Sequence, residues 1–184
     1  MLTKKKKLTI YLIMAIAVVF CIVLFLRFET GLSLLNIRGL SEYKNPAFHV
    51  SILYPKTWQA DLRYSKIGGV DGRYYGIDGF FSINSIGGTV GESAMTVAKN
   101  MAFNKRATTF GTSPLVSSII VDGQEAALIL PSSDQSKALE NEAAIVVKYP
   151  KAFTYQKLTY RFLIIYADKN HIEKFIENIE FDKY

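Results

Sequence analysis

His49, His171 and Cys21 are the only imidazoles and the only thiol in this 184-residue chain. A metal or nucleophilic centre would have to be built around them. A tetrahedral zinc site needs Cys, His or carboxylate ligands at close, repeated spacing, and neither histidine has paired carboxylates so placed. Each reads as a surface or capping side chain. One cysteine excludes an internal disulfide. Cys21 follows Phe20 rather than the small residue that lipoprotein processing requires, and Leu2 stands where a myristoylation signal needs glycine. No Gly-x-Ser-x-Gly elbow surrounds a serine, and Ser117-Ser118 read as strand residues on a wet face. The acid pairs Glu140 with Glu142 and Glu177 with Glu180 lie in no apolar setting that would raise a carboxyl pKa for acid catalysis. Gly87-Gly88-Thr89 could offer backbone amides to an anion, but it lacks the Lys-Ser/Thr of a phosphate loop. No catalytic residue, cofactor or metal is expected, and the chain reads as not an enzyme.

Aromatic residues make up 13% of the chain, and most of them fall at core spacing. Tyr74 and Phe80 are the exceptions: on a strand running from Tyr74 to Ser85 they fall on the less apolar face, with Arg73 beside them. Tyr, Phe and Arg together are the composition of interface anchors. Arg73, Tyr74 and Phe80 are therefore the candidate partner surface.

The elements that must carry this surface begin after an apolar run. Leu8 to Leu26 contains 19 residues without a charge, and a helix of that length spans about 28 Å, close to a bilayer's hydrocarbon core. Lys4 to Lys7 precede it and only Arg27 closely follows. The positive-inside bias thus predicts a cytoplasmic tail (1–7), a transmembrane helix (8–26) that has the lipid bilayer as its partner, a juxtamembrane linker (27–42) and an extracytoplasmic domain (43–184). The expected location is the plasma membrane, single-pass, with the N-terminus in the cytoplasm. The formal charge of +6 falls to +2 once Lys4 to Lys7, Arg27 and Glu29 are set aside. The basicity therefore belongs to membrane topology, and no nucleic acid is expected as a partner.

In the exported part, Phe48, Val50, Ile52 and Tyr54 alternate with more polar residues and Pro55 ends the run, as in a half-buried strand. Trp58 to Tyr64 can form a second strand, and a loop with Gly68, Gly69 and Gly72 leads to the strand Tyr74 to Ser85. Thr89-Val90-Gly91-Glu92 has capping-box spacing before a helix with Val90, Ala94, Val97, Ala98 and Met101 on one stripe, ending near Lys105 and Arg106. Asp122-Gly123 between Leu115–Val121 and Gln124–Leu130 is a two-residue hairpin signal. Strands Glu142 to Tyr149 and Leu158 to Ala167 follow, the last apolar on both faces and therefore central. Asp168 can cap a final helix with Ile172, Phe175, Ile176 and Ile179 on its stripe. Hairpin-linked strands with segregated helices predict an α+β fold.

Phe48-x-Val50-x-Ile52-x-Tyr54-Pro55-x-x-Trp58 resembles the opening strand and Pro-x-x-Trp turn of the PsbP-like family, the extrinsic photosystem II subunits and their relatives. Gly123-x-x-Ala126, Tyr166-Ala167 and the terminal Ile179-x-Phe181 extend the resemblance over about residues 43 to 182. It implies an antiparallel β-sheet with helices packed on its faces, an α/β/α sandwich, here preceded by one transmembrane helix. It also implies a non-enzymatic role as an accessory subunit or binding domain.

The expectation is thus a non-enzymatic, membrane-anchored extracytoplasmic domain that associates with an envelope protein or complex. A small-ligand or metal-binding domain is the alternative, and an envelope hydrolase the third reading.

Overall fold

Alternation and turn chemistry produce most of the elements seen in the computed structural model, which describes residues 39–104, 107–139 and 141–182. The strands are β1 (Leu40–Asn45), β2 (Val50–Pro55), β3 (Gln59–Ala60), β4 (Lys66–Ile67), β5 (Val70–Asp71), β6 (Arg73–Tyr75), β7 (Phe80–Ile86), β8 (Leu115–Val121), β9 (Gln124–Leu130), β10 (Glu142–Tyr155), β11 (Leu158–Asp168) and β12 (Ile179–Phe181). Helix α1 (Ala94–Ala102) lies between β7 and β8, a 3-10 turn covers Lys137–Leu139, and helix α2 (Ile172–Ile176) precedes β12.

The large sheet has seven strands in the order β3-β6-β7-β11-β10-β9-β8, and a smaller one has the order β1-β2-β12. Asp122 and Gly123, at φ 46° and 73°, make the expected two-residue turn between β8 and β9. β11 lies between β7 and β10, as its two apolar faces predict. Phe162 and Ile164 face the core under α1, while Leu163, Ile165 and Ala167 face the core under the small sheet. The first core is filled from α1 by Ala94, Val97, Ala98 and Ala102. The second holds Val50 and Ile52 of β2, Ile179 and Phe181 of β12, and Phe175 of α2.

That arrangement corrects the expected fold class. The described residues are 50% strand and 12% helix, so the domain is a mostly antiparallel β structure and not a sheet sandwiched between helices. The physical reason is that one face of the large sheet is covered chiefly by a second sheet. The helical stripes seen in the sequence extend only over the nine residues of α1 and the five of α2. Ile179, placed on the last helical stripe, belongs instead to β12.

The membrane expectations find no support in it either. Among the described residues no helix is long and apolar enough to cross a membrane, so they offer nothing for the predicted transmembrane helix or the single-pass plasma-membrane location. The run 8–26, the tail 1–7 and most of the segment 27–42 lie outside the described residues.

Three local differences have plain causes. The stretch from Tyr74 to Ser85 is a hairpin and not one strand, because the Gly76 N–H donates to the Gly79 carbonyl at 2.8 Å and turns the chain. Ser93, not Thr89, caps α1, its hydroxyl accepting from the Thr96 N–H at 3.0 Å. Glu92 folds back instead on the Thr89 N–H at 2.8 Å, filling the amide that could have met an anion, and Val90 is exposed. Pro150 and Lys151 lie within β10, whose pairing with β11 shifts between Lys148 and Phe153, since a residue without an N–H cannot hold the ladder.

Candidate functional site

Trp58 organises the end of the sheet where β3, β6 and β7 meet. The Pro55-Lys56-Thr57-Trp58 turn closes with the Trp58 N–H donating to the Pro55 carbonyl at 2.9 Å, which brings the indole into the core. There the indole Nε1–H donates to Asp78 Oδ1 at 2.7 Å. The hairpin Gly76-Ile77-Asp78-Gly79 wraps the ring so closely that a Cβ at Gly76 would collide with the indole. A Cβ at Gly79 would collide with the Asp168 carboxylate and with His171 Nδ1.

Asp168, buried at the end of β11, joins three elements. Its carboxylate accepts from the Phe80 N–H at 3.4 Å, the Asn170 N–H at 3.1 Å and His171 Nδ1 at 2.9 Å. A carboxylate partner makes Nδ1 the protonated ring nitrogen, which leaves Nε2 3.7 Å from Asp78 Oδ2. The cap expected of Asp168 is thus replaced by a tie to His171, the residue that stands at the N-terminus of α2. The Trp58 indole N–H, chiefly, holds the Asp78 carboxyl below its ordinary range.

Arg73 lies on the opposite side of the hairpin from the core. Its guanidinium carbon is 4.0 Å from the Phe80 ring centroid and 4.8 Å from that of Tyr64, and Nη1 donates to the Tyr64 hydroxyl at 3.0 Å. Such stacks contribute about 0.5–2 kcal/mol depending on desolvation. Beside them Arg63 grips Asp61 with both Nε and Nη2, at 2.8 and 2.7 Å. Those hydrogen bonds hold the Asp61 carboxyl down at about 2 and raise the guanidinium.

A cleft of about 310 Å³ runs over this surface, its floor including Asp61, Arg73, Phe80 and Asp168. It adjoins a depression of about 340 Å³ that shares Arg63, Arg73 and Phe80 and ends at Leu139 and Glu142. Leu62, 85% exposed, stands between the cleft residues Asp61 and Arg63, and Tyr64, Tyr75 and Ile77 are exposed around it. No Ser, Thr or Cys lies among the described residues that line either hollow.

The structure therefore brings Arg73 and Phe80 together and separates Tyr74 from them. The β6–β7 register pairs Arg73 with Ser82, Tyr74 with Phe81 and Tyr75 with Phe80. Paired residues share a face, so Tyr74 stacks on Phe81 in the core, ring centroids 5.2 Å apart and planes within 2°. Burial raises its hydroxyl pKa. Tyr64, Asp61, Arg63 and Asp78 join the site without a motif in the sequence that marks them. Asp78-Gly79 carried the available signal, the same dipeptide as the hairpin turn at Asp122-Gly123. Of the other residues read from sequence, His49 is in a turn at φ 52°, 3.7 Å from Asp182. Cys21 and Glu140 lie outside the described residues.

No protein-family model matches this chain, and no curated protein is similar to it. Among solved structures, the solution structure of cyanobacterial PsbP (CyanoP) from Synechocystis sp. PCC 6803 is similar with a TM-score of 0.45 and 13% identity, covering 78% of this chain and 92% of that one. Likeness of that degree assigns neither a family nor an activity.

Proposed function

We propose that the domain is a non-enzymatic binding module that docks another protein through the face carrying Arg73, Phe80 and Tyr64. The observation that carries this reading is the set of exposed apolar side chains, Leu62, Tyr64, Tyr75 and Ile77, around a stacked Arg-aromatic pair. Buried aromatic and arginine anchors within such a rim are the usual composition of interface hot spots. The partner presents apolar side chains to that rim and polar groups to the Arg73 end of the cleft. The motif resemblance of residues 43 to 182 to the PsbP-like family favours the same class of function.

The test is crosslinking of the full-length chain in its native cell, with mass spectrometry of what copurifies. A stoichiometric partner should be lost on Arg73→Ala and on Ile77→Ser, and kept on Leu158→Ser, an exposed apolar residue at the far end of β11. A partner retained by all three variants would sink this surface. The cleft volume also falls within the range of small-ligand sites, about 300–1,000 Å³. For that reading, a ligand-dependent rise in melting temperature, abolished by Arg73→Ala, is the distinguishing result.

A further inference from the structure

We propose that β8 is a self-association edge: two copies of this chain pair antiparallel along Leu115–Val121 and join their large sheets into one. β8 ends the seven-stranded sheet, and its ladder with β9 runs without a bulge from Leu115↔Leu130 to Val121↔Gln124. In a hairpin with a two-residue turn the flanking residues form a hydrogen-bonded pair, and bonded and non-bonded pairs then alternate. Val121, Ile119, Ser117 and Leu115 therefore bond to β9. Val116, Ser118 and Ile120 turn their N–H and C=O groups outward, and among the described residues none of these has a backbone partner.

Exposed edges are normally blunted by brevity, by charge, by proline or by a bulge. The opposite edge of this sheet is short, since β3 has only two residues. β8 has seven, Leu-Val-Ser-Ser-Ile-Ile-Val, and carries none of those devices. Leu115 and Ile120 are 63% and 65% exposed, on opposite faces of the strand.

The occupant that fits is a second copy, because the strand is its own complement. A two-fold axis at Ser118 sets Leu115 opposite Val121 of the other copy, Val116 opposite Ile120, Ser117 opposite Ile119, and Ser118 opposite itself. Each exposed aliphatic side chain meets a β-branched one, a favourable cross-strand pair. No charged residue lies in the register, so no like charges are opposed, as they would be in a two-fold pairing of a strand with a central lysine. The residues with outward backbone groups are matched with one another, Val116 with Ile120 and Ser118 with Ser118. Every outward N–H then finds a C=O. Pro114 and the turn at Asp122 bound the register at its two ends.

The test is sedimentation of the purified full-length chain across a concentration series. The expected result is a monomer–dimer equilibrium whose dissociation constant rises about tenfold or more on Ser118→Lys, which sets like charges against each other on the axis. Ser118→Pro, tolerated on an edge strand, should act in the same direction, with the melting temperature of the dilute protein unchanged. In a Cys21→Ala background, Ser118→Cys should crosslink to itself under mild oxidation, because paired strands hold such Cα atoms about 5.5 Å apart, whereas Leu158→Cys should not. A wild-type chain that stays monomeric overturns the proposal. So does a dimer that Ser118→Lys and Ser118→Pro both leave intact, or a strand of a different protein found crosslinked to Ser118→Cys in place of a second copy.

Discussion

Tyr74 stacks on Phe81 while its near neighbour Arg73 stacks on Phe80, on the opposite face of the same hairpin. One β-turn thus sets Arg73 and the buried Phe80 on one face of the hairpin and Tyr74, packed against the core, on the other. Tyr74→Ser should cost about 2 kcal/mol through lost burial and stacking. Arg73→Ala should cost about 1 kcal/mol or less and act mainly on binding. Urea denaturation of both variants checks the contrast, and equal losses would contradict it.

Gly76→Ala places a methyl group against the Trp58 indole. Overpacking of this kind costs about 1–3 kcal/mol, which for a domain of this size lowers the melting temperature by about 4 °C per kcal/mol. Trp58 is the only tryptophan in the chain, so a shifted emission maximum reports the displaced ring directly.

Ser93→Ala removes the hydroxyl that caps α1 and should cost about 1 kcal/mol. Thr89→Ala touches only the exposed turn before the helix and should cost about half as much or less. Thermal unfolding of the two variants ranks them, and the reverse order would return the cap to Thr89.

Hydrogen bonds from the Ser132 and Thr112 hydroxyls, with the Thr112 N–H, hold the Asp134 carboxyl down to about 2 from an ordinary 3.8. A carboxyl depressed in the folded state contributes stability that is present above its unfolded pKa and lost as pH falls through its folded one. The stability difference between wild type and Asp134→Asn should therefore be constant above about pH 5 and shrink between about pH 4 and pH 2. Denaturant midpoints along a pH series measure it. Asp61 should behave likewise, since Arg63 depresses it to about 2.

Tyr166 is pushed up to about 12, mainly by burial. A raised pKa gives stability that is intact below the unfolded value, near 10, and lost as pH rises toward 12. Tyr166→Phe should flatten the alkaline limb of the stability curve relative to wild type, as followed by circular dichroism.

How much was legible from the residues depended on the length of each period. The β8–β9 hairpin and the two-faced β11 were plain, because seven or more residues displayed their pattern on each. The alternation of residues 74 to 80 misleads because their hairpin pairs positions that sum to an odd number, 74 with 81 and 75 with 80. Every even residue before the turn therefore shares a face with odd residues after it. β12 has three residues, too few to display a period of two against the helical stripe preceding it, and so the second sheet leaves no pattern in the sequence. The Asp61–Arg63 grip and the Asp168–His171 tie are fixed by loop geometry. No spacing rule marks either of them.

The pairing of β2 with β12, Val50 with Phe181 and Ile52 with Ile179, bears on how the protein is made. A ribosome releases Val50 well over a hundred residues before its partner. Until then Val50 and Ile52, fully buried in the finished domain, are a bare apolar edge of the kind that seeks other chains. The large sheet meets the same delay, since its central strand β11 is nearly the last to emerge. Completion of this domain is therefore a late, concerted closure rather than a progressive one, and a nascent chain stalled before residue 179 should be a preferred client of chaperones.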